Sequence, residues 1–289
     1  MQNAGIAALG LDWRYLACPV RPEELAEAIE GARAMRFIGL NLTVPHKLLA
    51  VSMVDALDDS ARMWGAVNTI RFEAQDGAHE WRPLGELQDL PVGRVRAHGF
   101  NTDADAISRS LREDLAVEPT GARVLLLGAG GAGRTAALKL ASEGTKMLHL
   151  VNRTESKAAE LAREISERFP KQSVAVGYPL SGAVDLVLNA TSLGLGANDG
   201  VPFDAKRFDL RQAAAVYDMI YRPAETPLLR AARAAGCRVA NGLGMLLYQG
   251  ARALELWSGR AAPVAVMRRA LELNVYGFDS GARSGKLES

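Results

Sequence analysis

The sequence predicts an α/β fold in two domains, and three observations carry that expectation. At 289 residues the chain exceeds what one hydrophobic core usually organises. Short apolar runs alternate with helix-like stretches, a pattern of βα units that argues for mainly parallel sheets. Near the middle, Gly128-Ala129-Gly130-Gly131-Ala132-Gly133 lies between an all-apolar run and a helical stretch, the setting in which a glycine turn meets phosphate groups. The composition, 48% hydrophobic and 23% charged, is that of an ordinary globular chain. A formal net charge of +1 gives no general attraction to nucleic acid or to an anionic membrane.

Taken in order, residues 2–9 read as an apolar helix stopped by Gly10, and Trp13–Cys18 as a strand closed by Pro19. Pro22, Glu23 and Glu24 suit the positive end of a helix running to about Arg33. Phe37–Val44 is the next expected strand, with Pro45 opening a helix. After strand-like Ala66–Phe72, the 71–98 stretch mixes Gly, Pro, Asp and Gln and reads as a hairpin or loop excursion. A second series starts with Val124–Leu127, whose unbroken apolar character fits a strand covered on both faces. A helix follows from about Ala132, a strand at Leu148–Val151, and a helix capped by Thr154 reaching about Phe169. Strands are expected at Val174–Val176, Val184–Asn189, Ala214–Ile220 and Arg238–Ala240. Leu246, Leu247, Ala251, Leu254 and Trp257 then fall at helical spacing, and a last helix covers about Pro263–Leu273. The tail from Tyr276, with its Gly, Ser and Lys, is expected to be mobile.

Cys18 and Cys237 form no CxxC pair, the four histidines lack metal-ligand spacing, and no zinc site is expected. Both cysteines read as small buried apolar residues. No apolar run approaches the ~20 residues that span a bilayer, and the start lacks the features of a signal peptide, so a cytoplasmic location is expected. The glycine turn itself, Gly128, Gly130, Gly131, Ala132 and Gly133, lets backbone approach a pyrophosphate at a helix N-terminus. This marks the second domain as a doubly wound, Rossmann-type dinucleotide domain. Where a carboxylate would grip the ribose of NAD, the chain carries Asn152-Arg153-Thr154. A guanidinium can hold a 2′-phosphate, which favours NADP. Asn189-Ala190-Thr191-Ser192, closing another strand, belongs to the same rim of polar strand ends.

The segment Asn41-Leu42-Thr43-Val44-Pro45-His46-Lys47 places one lysine just past a strand, and Asn101-Thr102-Asp103 supplies a carboxylate able to orient it. Reduction of a ketone puts negative charge on its oxygen, which an ammonium stabilises and can protonate. These two segments, together with Ala66-Val67-Asn68-Thr69, the Gly128 turn, Asn152-Arg153-Thr154, Asn189-Ala190-Thr191-Ser192, Tyr217-Asp218-Met219-Ile220-Tyr221 and Asn241-Gly242-Leu243-Gly244-Met245-Leu246 leading to Gln249, occur in one order. The ordered set, covering the chain to about Leu273, resembles the NADP-dependent shikimate dehydrogenase family.

The resemblance implies Lys47 and Asp103 as the catalytic pair, and Thr43, Asn68, Tyr221 and Gln249 on the substrate side. Amide and hydroxyl groups suit a ring bearing several hydroxyls. It also implies Thr191, Met219, Gly242 and Met245 near the cofactor. It implies a substrate domain of residues 1–103 and 241–289, a dinucleotide domain of residues 104–240, and a ligand cleft between them. The expected reaction is reversible, NADP-dependent reduction of 3-dehydroshikimate, in a monomer or homodimer. A quinate/shikimate-like enzyme and a catalytically impaired NADP-binding module are the alternatives. One departure stands out. The family opens with a strand and a Ser-x-Ser turn that binds the substrate carboxylate, and Met1 matches a position just after it. Without those hydroxyls the substrate KM is expected to rise, since charge-assisted hydrogen bonds contribute ~1.5–3 kcal/mol each.

Overall fold

The computed structural model describes residues 1–76, 79–89, 93–179, 182–196 and 198–277. The chain divides into two compact units, one formed by Met1–Asp103 with Leu247 onward, the other by Ala104–Leu246. Each has its own sheet.

The first unit contains α1 (Gln2–Ala8), α2 (Leu25–Ala34), β1 (Gly39–Asn41), α3 (His46–Leu49), β2 (Ala56–Leu57), α4 (Asp59–Trp64), β3 (Thr69–Gln75), β4 (Trp81–Pro83) and β5 (Val95–Phe100). α5 (Asp103–Leu115) starts in it. Leu25, Ile29 and Ala32 fall one above another on α2 and pack against Ile70, Phe72 and Ala74 of β3 and Val95 and Ala97 of β5. Full burial of each large member stabilises by ~1.5–3 kcal/mol. Trp257 donates from Nε1 to the Ile70 carbonyl at 2.9 Å.

This sheet is not mainly parallel, as the alternating pattern led us to expect. β1, β4 and β5 all run antiparallel to β3, and only β2 is parallel to its neighbour β5. For β3, β4 and β5 the reason is connectivity. No helix long enough for a crossover lies between β3, β4 and β5 among the described residues, and strands so joined turn back on one another. The 71–98 excursion is therefore partly sheet, with Gln75 opposite Trp81 across the β3–β4 hairpin. The expected Phe37–Val44 strand shrinks to Gly39–Asn41.

Trp13–Cys18 forms no strand. Its backbone is held by a side chain instead: Asn3 Nδ2 donates to the Tyr15 carbonyl at 2.9 Å, and Tyr15 N donates to Asn3 Oδ1 at 2.8 Å. Cys18, on this segment, is exposed, while Cys237 is buried as expected.

The second unit holds β6 (Arg123–Leu127), α6 (Gly131–Ser142), β7 (Met147–Val151), α7 (Glu155–Arg168), β8 (Val174–Val176), β9 (Val184–Asn189), β10 (Ala213–Asp218), α8 (Pro227–Ala234) and β11 (Arg238–Asn241). α9 (Leu243–Ser258) begins here and returns the chain to the first unit, where α10 (Val264–Tyr276) packs on α1. All six strands are parallel, in the order β11-β10-β9-β6-β7-β8. That is the doubly wound arrangement, with strand order reversing between β6 and β9. Val124–Leu127 are buried throughout, as an apolar run covered on both faces must be. Leu228, Leu229 and Ala232 of α8 pack against Leu125, Leu127, Val187 and Val216. Thr154 occupies the N-cap of α7 without a side-chain capping bond. Its carbonyl instead accepts from Asn152 Nδ2 at 2.8 Å. The tail expectation from Tyr276 falls almost wholly outside the described residues. No helix among the described residues is long and apolar enough to cross a membrane.

Candidate active site

Strand register in the first unit explains how three separated motifs meet. Asn41, the last residue of β1, lies opposite Thr69, the first of β3, and Thr69 lies opposite Phe100, the last of β5. The segments leaving these strand ends therefore emerge at one end of the sheet: Leu42 to Lys47, Val67–Asn68, and Asn101 to Asp103. Backbone bonds stitch them together, from Leu42 N to the Asn68 carbonyl at 2.8 Å, Val67 N to the Lys47 carbonyl at 2.8 Å, and Asn68 N to the Phe100 carbonyl at 3.0 Å.

Lys47 Nζ donates to Asp103 Oδ2 at 2.7 Å, with the two side chains 26% and 14% exposed. Asp103 is the first residue of α5, where the helix dipole favours a carboxylate. Its N–H donates to Asn101 Oδ1 at 3.1 Å, and Asn101 Nδ2 donates to the Ala66 carbonyl at 3.1 Å. Asn68 is buried. Its Oδ1 accepts from Thr102 N at 2.9 Å and Thr69 Oγ1 at 3.1 Å, and its Nδ2 donates to Thr102 Oγ1 at 3.0 Å. Asn68 thus anchors the residue preceding Asp103. Thr43 is exposed and Gln249, on α9, is half-buried; both belong to the first unit. An ammonium held half-buried beside a fixed carboxylate can stabilise and protonate a nascent alkoxide.

The second unit supplies a different site. Gly128 follows β6 with φ +105°, a conformation that excludes a side chain without strain. Gly133 meets the turn so closely that a Cβ there would lie 2.1 Å from the Gly128 carbonyl oxygen. By contrast, a Cβ built on Gly130 or Gly131 would touch nothing within 4 Å, so the turn opens onto free space at the N-terminus of α6. No side chain caps that terminus. Its N–H groups and positive dipole end are available to a pyrophosphate, and the turn fits a dinucleotide. Gly130, Gly131 and Ala132 are all exposed there.

Asn152 Oδ1 accepts from Ala129 N at 3.1 Å, which ties the end of β7 to the glycine turn. Arg153 and Thr154 are exposed beside it. Arg134 is paired with Glu164, and Arg153 directly follows the Asn152 that binds the turn. At the next strand ends, Thr191 N and Oγ1 donate to Asn189 Oδ1 at 3.0 and 2.7 Å. Met219 N donates to the Asn189 carbonyl at 2.9 Å, and Gly242 N to the Ile220 carbonyl at 3.2 Å. Met219, Tyr221, Gly242 and Met245 all belong to the second unit, so Tyr221 lies in a different unit from Thr43, Asn68 and Gln249.

Two residues escaped the reading of the sequence. Asn101 positions the Asp103 backbone, and its only signal was its place in the Asn-Thr-Asp run. Asp218, the last residue of β10, is fully buried and bonded to Asn189 and Thr226; its signal was its place in the Tyr217-Asp218-Met219-Ile220-Tyr221 run, where it was given no role.

Residues 1–70 match the family model of the shikimate dehydrogenase substrate binding domain, residues 111–193 that of shikimate / quinate 5-dehydrogenase, and residues 242–272 that of the shikimate 5′-dehydrogenase C-terminal domain. The chain is 40% identical to a protein from Geobacter metallireducens named shikimate dehydrogenase (NADP(+)), over 93% of this chain and 89% of that one. Among solved structures it resembles ligand-free 5-ketofructose reductase of a Gluconobacter strain, with 34% identity, TM-score 0.77, and 95% and 92% of the two chains covered. It also resembles shikimate 5-dehydrogenase of Thermus thermophilus in complex with NADP(H) and shikimate, with 32% identity, TM-score 0.74, and 93% and 91% covered. Sequence, sheet topology and both sets of strand-end motifs agree: the chain belongs to the shikimate dehydrogenase family.

Proposed function

We propose that this protein catalyses the reversible, NADP-dependent reduction of 3-dehydroshikimate to shikimate, a step of aromatic amino acid biosynthesis, in the cytoplasm and as a monomer or homodimer. The observation that carries the reading is the Lys47–Asp103 pair at 2.7 Å, fixed at the sheet end where three family motifs converge. Bound NADPH supplies the hydride. Lys47 stabilises the charge that develops on the ketone oxygen and delivers the proton, and Asp103 holds the ammonium in place. Asn68, Thr43, Gln249 and Tyr221 contact the hydroxylated ring, and a site built to bond each hydroxyl discriminates against analogues lacking one. Gly128, Gly130, Gly131, Ala132 and Gly133 receive the pyrophosphate; Asn152, Arg153 and Thr154 receive the phosphorylated ribose; Thr191, Met219, Gly242 and Met245 lie toward the nicotinamide.

The test is direct. Purified protein with shikimate and NADP should produce reduced nicotinamide absorbance, with kcat/KM for shikimate above that for quinate and NADP preferred to NAD. Turnover of quinate or a ketohexose in place of shikimate would overturn the substrate assignment while sparing hydride transfer. A folded, NADP-binding protein silent with all of them would leave only the binding module.

A further inference from the structure

The C-terminal edge of the second sheet holds a buried acid with no task in the chemistry above. Asp218 is 0% exposed. Its Oδ1 accepts from Asn189 Nδ2 at 2.9 Å and from Ile220 N at 3.1 Å, and its Oδ2 accepts from Thr226 Oγ1 at 2.6 Å. The three donors come from three segments: the end of β9, the turn after β10, and the N-cap of α8. Asn189 is equally buried, and passes the restraint on. Its Oδ1 takes both Thr191 donors, and its carbonyl takes Met219 N. One carboxylate therefore fixes the turn carrying Thr191 and the turn carrying Met219, Ile220 and Tyr221.

Stability alone does not account for an acid here. Burial pushes the Asp218 carboxyl pKa up against the pull of its three donors. A buried ionisable group contributes less to stability than an apolar residue of similar size. What the carboxylate adds is geometry, because it has lone pairs enough for three donors converging from different directions.

The sheet order says which part of a ligand this geometry serves. Strand order reverses between β6 and β9, and a dinucleotide laid across such a reversal places one half over β6 and β7 and the other over β9 and β10. Arg153 follows β7, so the adenosine half lies there. We propose that Asp218 is a positioning residue for the nicotinamide half of the dinucleotide, holding Thr191 and the Met219–Tyr221 turn in register at the ends of β9 and β10. This rests on the proposed NADP-dependent activity.

The experiment uses the full chain with Asp218→Ala, Asp218→Asn and Thr226→Val, each first shown to be folded by circular dichroism at the assay temperature. Asparagine can still accept from Asn189 and Ile220, and donates to Thr226 where the acid accepted. Three quantities are read: Kd for NADPH by nicotinamide fluorescence, Kd for adenosine 2′,5′-bisphosphate, which contains only the adenosine half, and kcat with shikimate. Asp218→Ala is expected to weaken NADPH and lower kcat by about tenfold each, with bisphosphate affinity within twofold of the parent, and Asp218→Asn to recover most of both losses. If alanine does not fold, Thr226→Val, which removes the single bond to Oδ2, carries the same expectation at about threefold. Equal weakening of NADPH and bisphosphate would overturn the proposal in favour of a general role in folding, and unchanged NADPH affinity and kcat would overturn it outright. A parent protein that binds both ligands but turns over nothing refutes the proposed activity, and the NADPH-against-bisphosphate comparison still decides the positioning role. A parent that binds neither ligand overturns both.

Discussion

Replacing Lys47 by methionine keeps the stem length and removes only the ammonium. The Nζ lies 2.7 Å from Asp103 Oδ2, so its charge is held in a defined place. At about 3 Å from a developing alkoxide, with an effective dielectric near 20, the gross attraction is roughly 5–6 kcal/mol. Lys47 is 26% exposed, so water at its open side reduces this. Loss of a single oxyanion donor elsewhere costs about 2.7–4 kcal/mol, and the same range applies here. That corresponds to a drop in kcat of roughly 10²–10³. Asp103→Asn leaves the ammonium present but without its charge-assisted partner, and should lower kcat less, by about 10–100-fold. The assay is initial-rate NADP reduction at saturating shikimate, with NADPH affinity measured alongside. The expected signature is a loss in kcat with NADPH affinity preserved, because the interaction is made in the transition state. A Lys47→Met protein within fivefold of the parent kcat, or one altered only in KM, would refute the assignment of Lys47 to the reacting oxygen.

Three further outcomes are expected. Glu73 is 1% exposed and bonded by Arg71, Arg96 and His98; burial alone would raise its pKa, but the His98 hydrogen bond and the two guanidiniums pull it down to about 2 from 4.5. Its unfolded form binds more protons between those values, so this stabilisation is complete above about pH 4.5 and is lost as pH falls toward 2. Glu73→Gln should destabilise by about 3 kcal/mol at neutral pH and flatten the acid limb of urea midpoints; an unchanged limb would contradict it. Gly133→Ala puts a Cβ 2.1 Å from a backbone oxygen, and should destabilise by about 1–3 kcal/mol and weaken NADP binding, with unchanged melting and affinity as the opposing result. Arg153→Ser should raise Kd for NADP roughly 10–100-fold while leaving NAD within twofold; equal effects on both would remove Arg153 from the 2′-phosphate.

Local chemistry determined much of this protein in advance. The apolar run Val124–Leu127 fitted a doubly covered strand, and glycine alone tolerates φ +105° at Gly128. Strand, turn and helix were therefore legible within some twenty consecutive residues, as was the arginine at the end of β7. Lys47 and Asp103 were legible as motif members, but nothing in the linear chain brings them to 2.7 Å. That came from the register Asn41–Thr69–Phe100 across three strands. The same pairing sets Arg71 opposite His98 and Glu73 opposite Arg96, which gathers Arg71, Arg96 and His98 around one buried carboxylate. Strand direction in the first sheet, the side-chain-held Trp13–Cys18 segment and the Asp218 clamp were likewise decided only in three dimensions. The cause is common to all of them: a helix or a glycine turn is specified by neighbours within a few residues, whereas pairing, burial of an acid and the meeting of two side chains depend on contacts between residues far apart in sequence.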